Sequence, residues 1–440
     1  VYKITYKQLK SNGFENFDNL GVFGNGEGLL TQDNQDFNDK DPEQNAIQFI
    51  MGDDGEFNKG DYILFYGKSP NEWVYKEEKG FYSRNAHPYS KKNYYFITDN
   101  AKHVKEIESL AAIDQPATKT VNTFVDYLHH EKNEINLIES GREWFGERFG
   151  TYNSYDFSFE FPNRVENKPV KIAAHVAARS SITTEFNLHA NDQPVYSIPI
   201  SGVKFDFTGY YARGKYALDS LDTAGENIII QFDFNDPNSS SLGWLNYITL
   251  NATRELRMEG DQMKFRYRAK QSGIIEFNLA NVEENINIWD VTDPRNVQIV
   301  NNIQFNNGTA SFKVSVEPGT REFIAFTGND FHAPGIEGDV PNQDLHGLDP
   351  ADMIIVAKER FLSQAEELAE LHFSNDGLKS VVVTDKEIFN EFSSGKPDPA
   401  AIRNFVRYMY ERSTAADSLR YLLFFGDGSY DNRDCHNSQY

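Results

Sequence analysis

The chain has 440 residues, 39% hydrophobic and 25% charged, which points to several globular domains and excludes a disordered or fibrous protein. A formal net charge of −23 argues against nucleic acid as a partner, since phosphate backbones would be repelled. A single cysteine excludes an intrachain disulfide, and no run of about 18 apolar residues offers a transmembrane helix.

Aromatic content of 14%, with 34 Phe and 23 Tyr, suits pleated sheets. Val1 is not a start residue and no charged-then-apolar leader opens the chain, so both ends read as cuts in a longer protein. The expected division is a β-rich domain at 1–112, a jelly-roll-like β-sandwich at 113–330, a linker at 331–348 and the start of an α/β domain at 349–440.

In the first region "VYKITY" alternates with period two, while "GDYILFYGKSP" and "NYYFIT" read as strands. After the linker-like 113–121, "TFVDYLHHEKNEINL" is predicted helical around Phe124 and Leu128. Beyond it strand signals dominate. "YDFSFEFP" sets Tyr155, Phe157, Phe159 and Phe161 on one face, with Asp156, Ser158 and Glu160 on the other. "KIAAHVAAR", "TTEFNLHA", "ENIIIQFDFN", "LNYITLNATREL", "QMKFRYRA", "GIIEFNLA" and "REFIAFTG" follow between turn residues, the spacing of an antiparallel sandwich.

From 349 the pattern changes. "MIIVA" (353–357), "VVV" (381–383) and "YLLFF" (421–425) read as buried strands. Between them, Phe361, Ala365, Leu368 and Ala369 lie at helical spacing. A second helix opens with Asp398 as N-cap and Pro399 at its first position, carrying the stripe Ile402, Phe405, Val406, Met409 and Tyr410. Strand–helix–strand–helix–strand implies right-handed parallel crossovers and a sheet covered on both faces. Ligands of open α/β sheets bind at the carboxyl ends of the strands, where the turn Gly426-Asp427-Gly428 falls.

The candidate sites are modest. Cys435 and His436 invite a thiolate–imidazolium reading, but neighbouring side chains usually diverge, so both are read as bystanders. Gly426-Asp427-Gly428 is read as a turn in which Asp427 caps local backbone. "DDGEFNKGD" (53–61) departs from the alternating ligands of a calcium loop; calcium there is possible without a clear motif, and no other cofactor is expected. His129, His130 and Glu131 lack metalloprotease spacing and are read as helix surface. His175 and His189 are read as packing or surface residues in strands. Trp73, Trp144 and Trp244 are read as core anchors rather than a sugar platform. "GVFGNGEGLL" lacks the Lys-Ser/Thr and following helix of a phosphate loop.

Several long stretches carry a resemblance: "GLDPADMIIVAKERFLSQAEELAELH" (347–372), "IFNEFSSGKPDPAAIRNFVRYMYER" (388–412) and "YLLFFGDGSYDNR" (421–433). "GDDGEFNKGDYILFYGKSPNEWVY" (52–75), "SGREWFGERF" (140–149) and "LGWLNYITLNATREL" (242–256) extend it over nearly the whole chain. The sequence resembles the gingipain-like cysteine peptidases of family C25, in the form of the cell-surface sortases of the Bacteroidetes type IX secretion system. The resemblance implies a multidomain fold, with β-sandwich domains ahead of the first part of a caspase-like α/β domain. It implies an endopeptidase and transpeptidase at the outer-membrane surface. Its expected partners are cargo proteins with C-terminal sorting domains, a PorV-like outer-membrane barrel and a lipopolysaccharide amine as acceptor. A thiolate would attack the scissile carbonyl, and an amine or water would resolve the thioester.

Departures matter. Lys358 stands where Pro would be expected. The catalytic histidine of the family lies in a Gly-His-Gly stretch, with the cysteine after a later strand. This chain contains no Gly-His-Gly, and His346-Gly347 lacks the first glycine and precedes the sheet. No catalytic residue carries over; both are expected downstream of Tyr440, and residues 1–440 are expected to be inactive. The rival reading is a non-catalytic surface adhesion or carbohydrate-binding protein.

Overall fold

The computed structural model describes residues 1–24, 26–35, 40–414 and 418–435. The first region builds small antiparallel sheets. In one, Tyr62–Phe65 lies between Tyr2–Thr5 and Ile47–Ile50; in another, Gly21–Phe23 lies between Gln44–Asn45 and Phe96–Thr98. Ile63, Leu64, Phe65 and Tyr66 are all buried, as the apolar run predicts. "VYKITY" does not stay extended. Thr5 caps a helix, Tyr6–Ser11, through a reciprocal capping box with Gln8.

The stretch 113–330 holds two hydrophobic cores. In the first sandwich, one sheet runs Thr123–Glu131, Leu242–Glu255, Val170–Arg179, Arg213–Leu221. The facing sheet runs Ser154–Glu160, Asn227–Asn235, Thr184–Ala190, Gln193–Ile200. Phe157, Phe159 and Phe161 point into the shared core, as their alternation requires. The second sandwich packs Phe265, Phe277, Phe312 and Phe323 between sheets centred on Gly273–Ala280 and Gly319–Phe326. It recruits Glu108–Ser109 and Lys119–Val121, each paired in parallel, from before the first sandwich. A further core joins Val1, Leu64 and Tyr66 to Trp289 and Phe326, so the first region is packed onto the second sandwich.

The helix expected around Phe124 and Leu128 is instead the strand Thr123–Glu131, antiparallel to Leu242–Glu255. Residues four apart share a face in both helix and strand, so that pair could not discriminate. Asp126 lies between them on the same face, and Arg254 and Arg266 neutralise it there.

The segment 331–348 is mostly irregular, but it is tied down. Lys3 N donates to the His332 carbonyl, and Leu345 is buried. After it, Met353–Ala357 lies between Ser380–Thr384 and Tyr421–Phe425, all parallel. The helix Leu362–Asp376 covers one face and stops at Gly377, whose φ of 67° is the left-handed region that glycine favours. The helices Asp385–Phe392 and Pro399–Glu411 cover the other. Asp398 caps the latter as predicted, accepting from Ala400 N. Its buried stripe is Ala401, Asn404, Phe405 and Met409; Tyr410 faces solvent. Tyr421–Phe425 is not fully buried. Leu423 and Phe425 pack on the sheet's inner side, but Leu422 is 42% and Phe424 57% exposed, because this is an edge strand whose second face no described element covers.

Candidate functional site

The three parallel strands deliver Ala357, Thr384 and Phe425 to one edge of the sheet. Gly426, at φ 150°, turns the chain away immediately after the last strand. Asp427 is exposed, and its Oδ1 accepts from Gly428 N at 2.7 Å, the local cap expected of it. Thr384 and Glu387 form a capping box, and Lys358 pairs with Asp385 at 2.5 Å. These side chains shape loops at the edge; they do not bring a nucleophile to a base.

Cys435 is half-buried, and its backbone N donates to Asp431 Oδ1 at 2.7 Å. Burial, followed by the Asp431 carboxylate, pushes the thiol pKa up. That is opposite to the activation a nucleophilic cysteine needs. His436 lies outside the described residues.

The histidines have structural work. His129 and His130 sit on a strand, not on a helix surface. His129 Nδ1 is 2.8 Å from Thr249 Oγ1, and His130 Nε2 is 3.0 Å from Glu147 Oε1. Glu131 is held down to about 2, since the bond from His129 and the Arg84 charge outweigh its burial. His175 and His189 lie in strands as read, and Asn246, opposite His175 at a bulge, bonds its Nδ1 at 3.1 Å. Trp144 and Trp244 are buried; Trp73 is half-buried and stacks on Tyr127 at 3.7 Å. In "DDGEFNKGD", Asp61 accepts from Gly52 N and Asn58 N, and Asp54 from Glu56 N.

Asp41, His346 and Glu391 bring ligand-type atoms within 4.8 Å of one another. Glu391 is already engaged by Leu345 N and Gln343 Nε2, and the His346 ring stacks on Phe392. The trio fastens the linker to the α/β unit. Sequence reasoning missed a second junction. Lys396 inserts its ammonium under the glycine-rich stretch and donates to Gly26 O at 2.8 Å. The sequence carries no sign of this pairing, since Gly395-Lys396-Pro397-Asp398 and the glycine-rich stretch lie some 370 residues apart.

Residues 346–439 match the family model "Peptidase family C25". The crystal structure of dimeric latent PorU from Porphyromonas gingivalis superposes with a TM-score of 0.85 at 25% identity, over 99% of this chain and 41% of that one. This chain thus spans 41% of the length of that PorU chain. A calcium- and xylotriose-bound carbohydrate-binding module, CBM36, covers 28% of this chain and 98% of its own at 14% identity, with a TM-score of 0.20 too low to carry weight. No curated protein matches significantly. Strand-rich domains followed by a parallel α/β unit are the arrangement shared with PorU, and the segment 346–439 is similar to peptidase family C25.

Proposed function

We propose that this chain is the β-rich scaffold and sheet-opening part of a cell-surface sortase of the type IX secretion system. In this reading the protein is a cysteine endopeptidase and transpeptidase. It removes C-terminal sorting domains from cargo and joins the cargo to a lipopolysaccharide amine. The β domains dock it to a PorV-like barrel at the outer membrane. The observation that supports this is the agreement with PorU over nearly the whole chain. Thiol and imidazole are assigned to the part of a PorU-length chain that these residues do not span, since they cover 41% of that chain. No helix among the described residues is long and apolar enough to cross a membrane.

The test is deletion of the gene in its host, followed by mass spectrometry of surface cargo. Cargo is expected to keep its sorting domain; normal trimming rules the sortase out. Residues 1–440 alone should not cleave a sorting-domain peptide. Turnover abolished by Cys435→Ala would overturn the placement of the catalytic groups.

One loop supports the surface-binding alternative. Phe205, Phe207, Tyr210 and Tyr211 are exposed on the first sandwich, and Arg179 lies 4.7 Å from the Phe205 ring and 4.3 Å from that of Tyr211. Gly209 N donates to Asp206 O at 3.1 Å, which holds Phe207 at the tip. Exposed rings of this kind mark binding surfaces. Saturable binding on a glycan array that Phe207→Ala abolishes would support this role; an array without signal removes it.

A further inference from the structure

One end of the first sandwich carries rings and cations that its core does not use. There the segment 204–211 folds back on itself as a narrow finger. Asp206 Oδ1 accepts from Thr208 N at 3.0 Å, and a β-carbon on Gly209 would collide with the Lys204 carbonyl. Phe207 stands fully exposed at the tip, with Phe205, Tyr210 and Tyr211 exposed along the sides. Val203 N donates to Ser180 O at 2.7 Å, which sets the exposed Ile182 near the base of the finger.

The local charge runs against that of the chain, whose formal net charge is −23. Lys204 and Arg213 are exposed where the finger leaves and rejoins the sandwich, and Arg213 lies 5.5 Å from the Tyr210 ring. Arg179 sits between the rings of Phe205 and Tyr211 and donates to Tyr211 O at 2.7 Å. Asp206 is the carboxylate of the finger. Asp236, on the next loop, is tied like it into its own turn, accepting from Asn238 N at 3.2 Å.

Shape decides between occupants. Arg179 packs against Phe205 and Tyr211, so those rings do not make an open platform for a sugar. A convex tip ending in a fully exposed ring leaves water only inside a partner that yields around it, and fluid lipid does so. Aromatic side chains settle at the membrane–water interface, and a cationic base is drawn to anionic headgroups.

We propose that this finger inserts into an anionic lipid surface, Phe207 entering to the headgroup–acyl boundary while Lys204 and Arg213 meet lipid phosphates. The proposal stands apart from the peptidase reading, since it needs neither cargo nor catalytic groups.

Co-sedimentation of residues 1–440 with vesicles tests it. Equimolar phosphatidylglycerol and phosphatidylcholine should pull the chain down in low salt, and high salt should release most of it. Phosphatidylcholine alone should bind at least about tenfold more weakly. Phe207→Ser, and separately Lys204→Glu combined with Arg213→Glu, should each cost at least about tenfold on the anionic vesicles. Phe373→Ser, at an exposed ring on the α/β unit, should change nothing. Brominated acyl chains should quench Phe207→Trp more than the wild type, a readout that places the tip inside the lipid. No binding to anionic vesicles, equal binding to both kinds, binding untouched by Phe207→Ser, or equal quenching of Phe207→Trp and wild type overturns the proposal. A glycan-array signal without vesicle binding also overturns it and makes the loop a sugar site.

Discussion

The Lys396 ammonium lies 2.8 Å from the carbonyl oxygen of Gly26 and 3.3 Å from that of Gly28, more than 360 residues earlier in the chain. A glycine-rich stretch that resembles a phosphate loop in composition thus presents acceptors, not donors. It clasps a cation from the α/β unit. Asp398, two residues on, accepts from Leu30 N at 3.0 Å while capping its own helix. The first and last domains are locked through this corner.

Burial pulls Lys396 down to about 8 from 10.5, with Asp398 and Glu27 opposing. Between those values the unfolded chain binds more protons than the folded one, so this residue's contribution to stability rises with pH across the window. Urea unfolding of the wild type and Lys396→Met at pH 7.5 and 10 should differ in pH slope, by up to about 3 kcal/mol over the window. Parallel slopes would show that the ammonium is not buried at this corner.

His87 is fully covered in the same corner. Burial, with the Lys396 and Arg433 charges, lowers it to about 4 from 6.5. Its folded pKa lies below the unfolded one, so stability is lost as pH falls from 6.5 towards 4. Its Nδ1 accepts from Ser90 N at 3.0 Å, and an asparagine oxygen can take over that bond. His87→Asn should therefore flatten the acid limb by up to roughly 3 kcal/mol while leaving stability at pH 7.5 little changed. Chemical unfolding at pH 4.5 and 7.5 decides it, and an unaltered acid limb refutes it.

Gly243 sits where two core rings close over the strand Leu242–Glu255. A β-carbon there would lie 2.7 Å from Phe186 and 3.0 Å from Phe234. Gly243→Ala should cost about 1–3 kcal/mol by overpacking. Thermal unfolding of the variant measures the loss, and an unchanged midpoint would mean that the rings yield freely.

The Cys435 thiol should alkylate more slowly than a free thiol at pH 7, because burial and Asp431 disfavour the thiolate. Asp431→Asn keeps an acceptor for Cys435 N and removes the charge, so it should speed iodoacetamide labelling several-fold. Equal rates would mean that Asp431 does not set the thiol's reactivity.

Much of this was legible in the residues. Alternation placed Phe157 and Phe159 in the core, the cap Asp398 with Pro399 located a helix start, and three short apolar runs became parallel strands. The errors have physical causes. Phe124 and Leu128 share a face in a helix and in a strand alike. The apolar "YLLFF" runs along a sheet edge, where nothing described covers Phe424. Two adjacent sandwiches read as one, because strands and turns continue across the junction without a change in composition.

By itself the sequence determined most of the segments that extend, the helix start at Asp398 and Pro399, and a resemblance to family C25 peptidases in the segment 346–439. Those depend on local periodicity and on neighbours a few residues away. Only the tertiary structure decided that Lys396 meets Gly26, that His87 is buried beside it, and that Arg254 and Arg266 share Asp126. The reason is separation. These groups come from strands and loops far apart in the chain, and burial, which sets their charge and their unmet hydrogen bonds, exists only once the domains have packed.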